Sequence, residues 1–137
     1  MSVKQPYSSA FRPPAPVLSV RVGAPGREPL LGVVALVDSG ADLSVIPLAA
    51  IQALELPQVG KTRIRGVTGV EESTPVHAAV LEVGGTSVLA EVVAWGDEAI
   101  VGRDVLSRFV LELNGPRETL TLTAPTPPVK RRLKRVR

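Results

Sequence analysis

Cysteine is absent from the 137 residues, and histidine occurs once, at His77. The first absence excludes disulfides, thiolate metal sites and a cysteine nucleophile. The second excludes a histidine-rich metal site, and with no second imidazole to draw on, His77 in a strand pattern reads as an ordinary strand residue. Aromatic side chains make up 3% of the chain, too few for a platform on which the bases of a single strand would stack. No apolar run approaches the ~18 residues that cross a bilayer. The opening "MSVKQPYSSAFRPPAP" lacks the apolar stretch of a secretory signal, so a cytoplasmic protein is the expectation.

What remains is a chain long enough to bury one real core. Its apolar content of 45% is that of a folded protein and not of a disordered one. Charge is divided unevenly. Six of the sixteen basic residues fall in the closing "KRRLKRVR" (Lys130–Arg137), which leaves ten basic against thirteen acidic residues and a net charge of −3 elsewhere. The basic character therefore belongs to the tail. Two readings of that tail stand side by side: a solvated extension after Pro-rich sequence, or a contact for nucleic acid or another acidic surface.

Along the chain, residues 1–15 are rich in Pro, Ser and Gln and read as a flexible arm. "VLSVRV" (Val17–Val22) alternates, with Leu18, Val20 and Val22 on one face. After "GAPGREP", the run Leu31–Val37 is apolar throughout and reads as a strand buried on both faces. "PLAAIQALEL" places Pro47 at the start of one short helix that stops before Pro57. "KTRIRGV", a turn in "TGVEEST", "PVHAAVLEV", the turn Gly84-Gly85 and "TSVLAEVVAW" predict further strands. "AIVG" and a short helical "RDVLSRF" follow, and "VLELNGPRETLTLT" predicts two strands around Asn114-Gly115. The pattern is mainly β, a small closed or sandwiched structure with one or two short helices over residues 16–123. "APTPP" then reads as a linker, so that 124–137 forms a Pro-rich linker and basic tail.

The chemistry concentrates where the most apolar strand ends, in "ALVDSGADLSVIP". An Asp at a strand end has a plain role, making a turn or capping the next segment. Here, however, apolar sequence flanks Asp38 on both sides. A carboxylate in such a place needs hydrogen bonds, a charge partner or a proton. Roughly sixty residues on, "AIVGRDVL" (Ala99–Leu106) places an apolar strand, a glycine and an arginine before a short helix.

"LVDSGAD", "IRGVTGV" and "IVGRDVL", in that order and spacing, resemble the retropepsin-like aspartic proteases, the retroviral proteases and their cellular and bacterial relatives. The likeness covers roughly Val17 to Thr123. "GVTGVEESTPVHAAVLEVGG" and "FVLELNGPRETLTL" look closest to the cytosolic and bacterial branch that includes the protease domain of the DNA-damage-inducible proteins. The resemblance implies a small closed acid-protease barrel and an aspartic endopeptidase that needs no cofactor and no metal. Two aspartates share one proton in such an enzyme, one activating water and the other polarising the scissile carbonyl. This chain has one Asp-Ser-Gly; Asp42 and Asp104 do not precede Ser/Thr-Gly. The resemblance therefore implies a two-fold homodimer with Asp38 catalytic in each copy.

Other roles follow from the same likeness. Ser39 would brace the paired loops, Gly40 permit their tight turn, and Arg103 pair with Asp42 as a buried structural ion pair. Ala41 and Asp42 would bind peptide backbone in the cleft. Gly66, Val67, Thr68 and Gly69 would form a flap that closes over an extended peptide substrate, although this hairpin carries fewer glycines than the retroviral proteases do. Leu36, Val37, Ile100 and Val101 read as core. Ser44 has no histidine base and is not promoted, and Trp95 reads as a core or rim anchor. "GVTGVEES" lacks the lysine of a phosphate loop. The competing function is a catalytically weak or inactive retropepsin-like dimer that binds peptides as a scaffold, its tail holding nucleic acid or an acidic partner.

Overall fold

The computed structural model describes residues 2–29, 31–65 and 68–125. Ten strands and two short helices follow in the order β1 (Ser2–Pro6), β2 (Val17–Gly23), β3 (Leu31–Val37), β4 (Ser44–Val45), α1 (Leu48–Ala53), β5 (Gln58–Arg65), β6 (Glu71–Val83), β7 (Thr86–Val93), β8 (Ile100–Val101), α2 (Arg103–Leu106), β9 (Val110–Asn114) and β10 (Thr119–Thr123). The protein is mainly β. Seven strands are ordered β2-β3-β8-β4-β7-β6-β5, and β2 also pairs with β6, which closes the first six into a barrel. β1, β10 and β9 form a separate three-stranded sheet.

The barrel closes because its strands alternate. Leu18, Val20 and Val22 of β2 are buried, as are Ala79, Leu81 and Val83 of β6 and Val88, Ala90 and Val92 of β7. Ile46, Ile51 of α1, Val101, Val105 and Leu106 of α2, and Leu120 and Leu122 of β10 fill the same core. Each fully buried Leu or Ile contributes on the order of 1.5–3 kcal/mol. The α1 helix is short because Pro47, with ψ 138°, precedes it as cap and not as its first residue, while Glu55 turns left-handed at φ 49° ahead of Pro57. Among the described residues no helix is long and apolar enough to cross a membrane.

Three expectations change. Residues 1–15 are not a free arm throughout: Ser2–Pro6 pairs along its whole length with β10, from Ser2 opposite Thr123 to Pro6 opposite Thr119. The Tyr7 N–H continues the contact to the Glu118 carbonyl at 2.8 Å, and Val3 packs on the core. Strand β3 is buried on one face only. Ala35 is in the core while Gly32 and Val34 are exposed, because β3 forms part of a barrel wall whose outer side no layer of the described residues covers. The turn expected over 68–74 is shorter, since Glu71 and Ser73 already pair with Arg65 and Arg63. Of the linker and tail, residues 126–137 lie outside the described residues.

Candidate active site

Strand β8 lies between β3 and β4, parallel to the first and antiparallel to the second. This insertion brings the two sequence motifs together. Leu36 opposes Ile100 and Val37 opposes Val101. The Asp38 N–H donates to the Val101 carbonyl at 3.0 Å, so the ladder continues one residue beyond β3 and delivers Asp38 at the strand's end.

The Asp38 loop is held from within. Its Oδ1 accepts the Gly40 N–H at 2.9 Å, and its carbonyl accepts the Ala41 N–H at 3.2 Å. A Cβ on residue 40 would stand 3.1 Å from that same Oδ1. Gly40 has no positive φ among the described glycines. The glycine therefore leaves room for the carboxylate and does not serve a left-handed turn. Asp38 is half-buried, while Ser39, Gly40 and Asp42 are exposed.

Arg103, the first residue of α2, clasps this loop. Its Nη1 donates to the Ser39 carbonyl at 2.8 Å, its backbone N–H donates to the Ala41 carbonyl at 2.8 Å, and its Nη2 pairs with Asp42 Oδ1. The ion pair, expected to be buried, is exposed instead: the Arg103 and Asp42 side chains are 52% and 84% exposed. Its worth lies in positioning the loop more than in Coulomb energy, which water screens.

Behind the loop sits a polar pair that the motif reading passed over. Ser44 is fully buried. Its Oγ donates to Asp104 Oδ1 at 2.7 Å and accepts the Gly102 N–H at 3.0 Å, and its own N–H donates to Asp104 Oδ2 at 3.1 Å. Asp104 Oδ1 also accepts the Val105 N–H at 2.9 Å, within the first turn of α2. Asp104 is thus committed to structure. Gly102 has to be glycine here, because a Cβ would meet the Ala41 and Leu43 carbonyl oxygens at 2.8 Å each. The available signal was the single polar residue within "LSVIP", at a position where alternation leads into the core.

Asp38, Ser39, Gly40, Ala41, Asp42 and Arg103 thus come together in one cluster. Gly66 and Val67 lie outside the described residues. Thr68 and Gly69 are exposed at the end of the β5–β6 hairpin, with Gly69 at φ 78°, and no described hydrogen bond joins them to the Asp38 loop. Leu36 and Ile100 depart from the core reading: they are half-exposed and line an outer groove, whereas Val101 is buried and Val37 packs on the core. Trp95 is 46% exposed, so it is not a core anchor.

A half-buried aspartate thus stands at a strand end, its loop held by an arginine that follows a second apolar-Gly strand. The family model described as "gag-polyprotein putative aspartyl protease" matches residues 30–108, and the chain belongs to that family. Among solved structures, a retropepsin-like aspartic protease from Rickettsia conorii has a TM-score of 0.69 at 15% identity, over 90% of this chain and 91% of that one. The EIAV protease complexed with the inhibitor HBY-793 has a TM-score of 0.53 at 25% identity, over 68% and 86%. The solution structure of the Simian Foamy Virus (mac) protease has a TM-score of 0.50 at 25% identity, over 67% and 92%. A search of curated proteins finds none that matches.

Proposed function

We propose that the chain is a homodimeric aspartic endopeptidase, acting in the cytoplasm, in which the Asp38 carboxylates of two copies share one active site. The observation that carries this reading is the Asp38 loop itself: a half-buried carboxylate held by Gly40, on a loop clasped by Arg103. The Gly40 N–H to Asp38 Oδ1 bond is an Asx turn of the kind any strand-end Asp can make; what a turn does not require is the second hold on the same loop by Arg103 from the other motif.

One Asp-Ser-Gly per chain makes half of a two-carboxylate site, and a two-fold axis through the Ser39 loop supplies the other half. Strand β9 supports such an assembly. It pairs only with β10 among the described strands, and Val110 and Leu113 on it are exposed. An open edge of this kind accepts a second β9 in antiparallel register.

Two carboxyl groups within hydrogen-bond reach do not both ionise. The ionised Asp38 takes a proton from water, whose oxygen bonds to the scissile carbonyl carbon. The protonated Asp38 hydrogen-bonds the carbonyl oxygen as charge develops on it. Collapse reforms the carbonyl and breaks the C–N bond, and the Asp38 that took water's proton gives it to the leaving nitrogen and is ionised again. Ala41 and Asp42 on one side, with Thr68 and Gly69 as part of a flap, would hold the peptide extended by backbone hydrogen bonds. That the EIAV protease is complexed with an inhibitor accords with a ligand-binding cleft in this fold.

The test is digestion of a proteome-derived peptide mixture by the full chain, read by mass spectrometry between about pH 4 and 7, beside Asp38→Asn. Cuts that the Asp38→Asn chain does not make support the reading. A dimeric wild-type chain that makes no cuts at any pH rejects it in favour of a peptide-binding module.

A further inference from the structure

The groove that Leu36 and Ile100 line opens beside the Asp38 loop. Leu36 stands two residues before Asp38, Ile100 is its partner across the β3–β8 ladder, and the Asp38 N–H continues that ladder to the Val101 carbonyl. The groove therefore belongs to the cleft in which the proposed reaction takes place. Its volume is about 410 Å³, and its walls are mainly apolar, with Phe11, Val34, Leu36 and Ile100 in them. Glu98 is the exception, the one charged residue among the described lining.

Glu98 has no cation of its own. No salt bridge among the described residues includes it, and its backbone N–H donates to the Trp95 carbonyl at 3.2 Å, which holds the chain at the groove's edge. Basic residues of the loop and hairpin are committed elsewhere. Arg103 is taken up by Asp42 and the Ser39 carbonyl, and Arg63 and Arg65 share Glu71. Arg12 follows Phe11 in sequence but does not line the groove. Asp97, exposed beside Glu98, adds a second negative charge just outside the lining. Phe11, 42% exposed, adds an aromatic ring, whose face attracts a cation placed over it.

An apolar trough with a carboxylate at its exposed edge suits a side chain that is apolar along its stem and cationic at its tip. Lysine and arginine have this form, burying the stem while the charged head stays near water. A leucine would fill the trough and leave Glu98 without a partner, and a glutamate would meet a like charge. We propose that Glu98 makes this chain select lysine or arginine next to the scissile bond. The selection rests on the endopeptidase reading above and names the substrate class that reading leaves open. A two-fold dimer presents the groove twice, once from each copy, so the basic residue can occupy either side of the bond.

The test is digestion of a proteome-derived peptide mixture by the full chain at about pH 6, where exposed carboxylates are ordinarily ionised, beside Glu98→Gln, Glu98→Lys and Asp97→Asn. Lysine and arginine should flank the cuts that Asp38→Asn does not make about two- to fivefold more often than their frequency in the mixture, the scale of one exposed charge pair. Glu98→Gln should lose that enrichment while still cutting beside apolar residues, Glu98→Lys should favour aspartate and glutamate, and Asp97→Asn should change little. Asp38-dependent cuts without the enrichment, or enrichment that survives Glu98→Gln, would overturn the proposal. So would an equal loss in Asp97→Asn, because the acidic surface as a whole and not the groove would then be selecting. A wild-type chain that makes no Asp38-dependent cuts counts against the endopeptidase reading, and the charge preference is then read by binding. The same mixture is passed over immobilised Asp38→Asn chain, with and without Glu98→Gln. Retention of lysine- and arginine-containing peptides only where Glu98 is present upholds the selection; equal retention by both chains, or none, overturns it.

Discussion

Ser44 and Asp104, sixty residues apart in sequence, share two hydrogen bonds, hydroxyl to Oδ1 at 2.7 Å and backbone N–H to Oδ2 at 3.1 Å. With the Gly102 N–H donating to the same hydroxyl, this pair ties the start of α2 to the chain just beyond the Asp38 loop. The loop's position therefore depends on a buried contact that has no chemistry of its own.

Ser44→Ala removes the hydroxyl and leaves the Gly102 N–H without its acceptor in a buried place. The expected cost is about 1–3 kcal/mol of folding stability, the range for orphaning a buried polar group. Urea denaturation followed by far-UV circular dichroism measures it. Ser44→Thr, which keeps the hydroxyl, should lose less.

Gly102→Ala should destabilise by more than its single methyl suggests. The added Cβ meets two backbone carbonyl oxygens at 2.8 Å, and the backbone has no rotamer by which to retreat. Overpacking of this kind costs about 1–3 kcal/mol. Because the crowded carbonyls belong to Ala41 and Leu43, amide shifts of residues 38–44 should move together in the variant.

Asp42 and Arg103 separate charge from positioning. Asp42→Asn breaks an exposed ion pair and should cost no more than about 1 kcal/mol. Arg103→Ala also removes the donor to the Ser39 carbonyl and should loosen the loop further. Hydrogen exchange at Gly40 and Ala41 distinguishes them: faster exchange in Arg103→Ala, and little change in Asp42→Asn. Equal acceleration in both would assign the clasp to the ion pair after all.

Much of this architecture was legible in the chain because the local signals agree. Strict alternation in Val17–Val22 marks β2, Gly84-Gly85 marks the β6–β7 turn, and "LVDSGAD" with "IVGRD" marks the two strands that the barrel lays side by side. β1 was not legible. Its residues carry weak strand preference, with Pro6 at the end, and its partner β10 lies at the far end of the sequence, beyond the reach of any local pattern. β3 misled for a related reason: Val34 is as apolar as its buried neighbours, and composition alone does not tell a barrel wall from a covered sheet. Ser44 was passed over because a lone serine suggests a nucleophile to be dismissed, while its work here is to satisfy Asp104.

The most direct test of the shared site mixes chains. With cleavage by the wild-type protein as readout, a fixed amount of wild-type chain is allowed to exchange with an increasing excess of Asp38→Asn chain. A site built from two Asp38 carboxylates predicts that activity falls towards zero as wild-type copies are drawn into hybrid dimers. Activity that stays constant, set by the wild-type chain alone, would show that one chain suffices and would contradict the account.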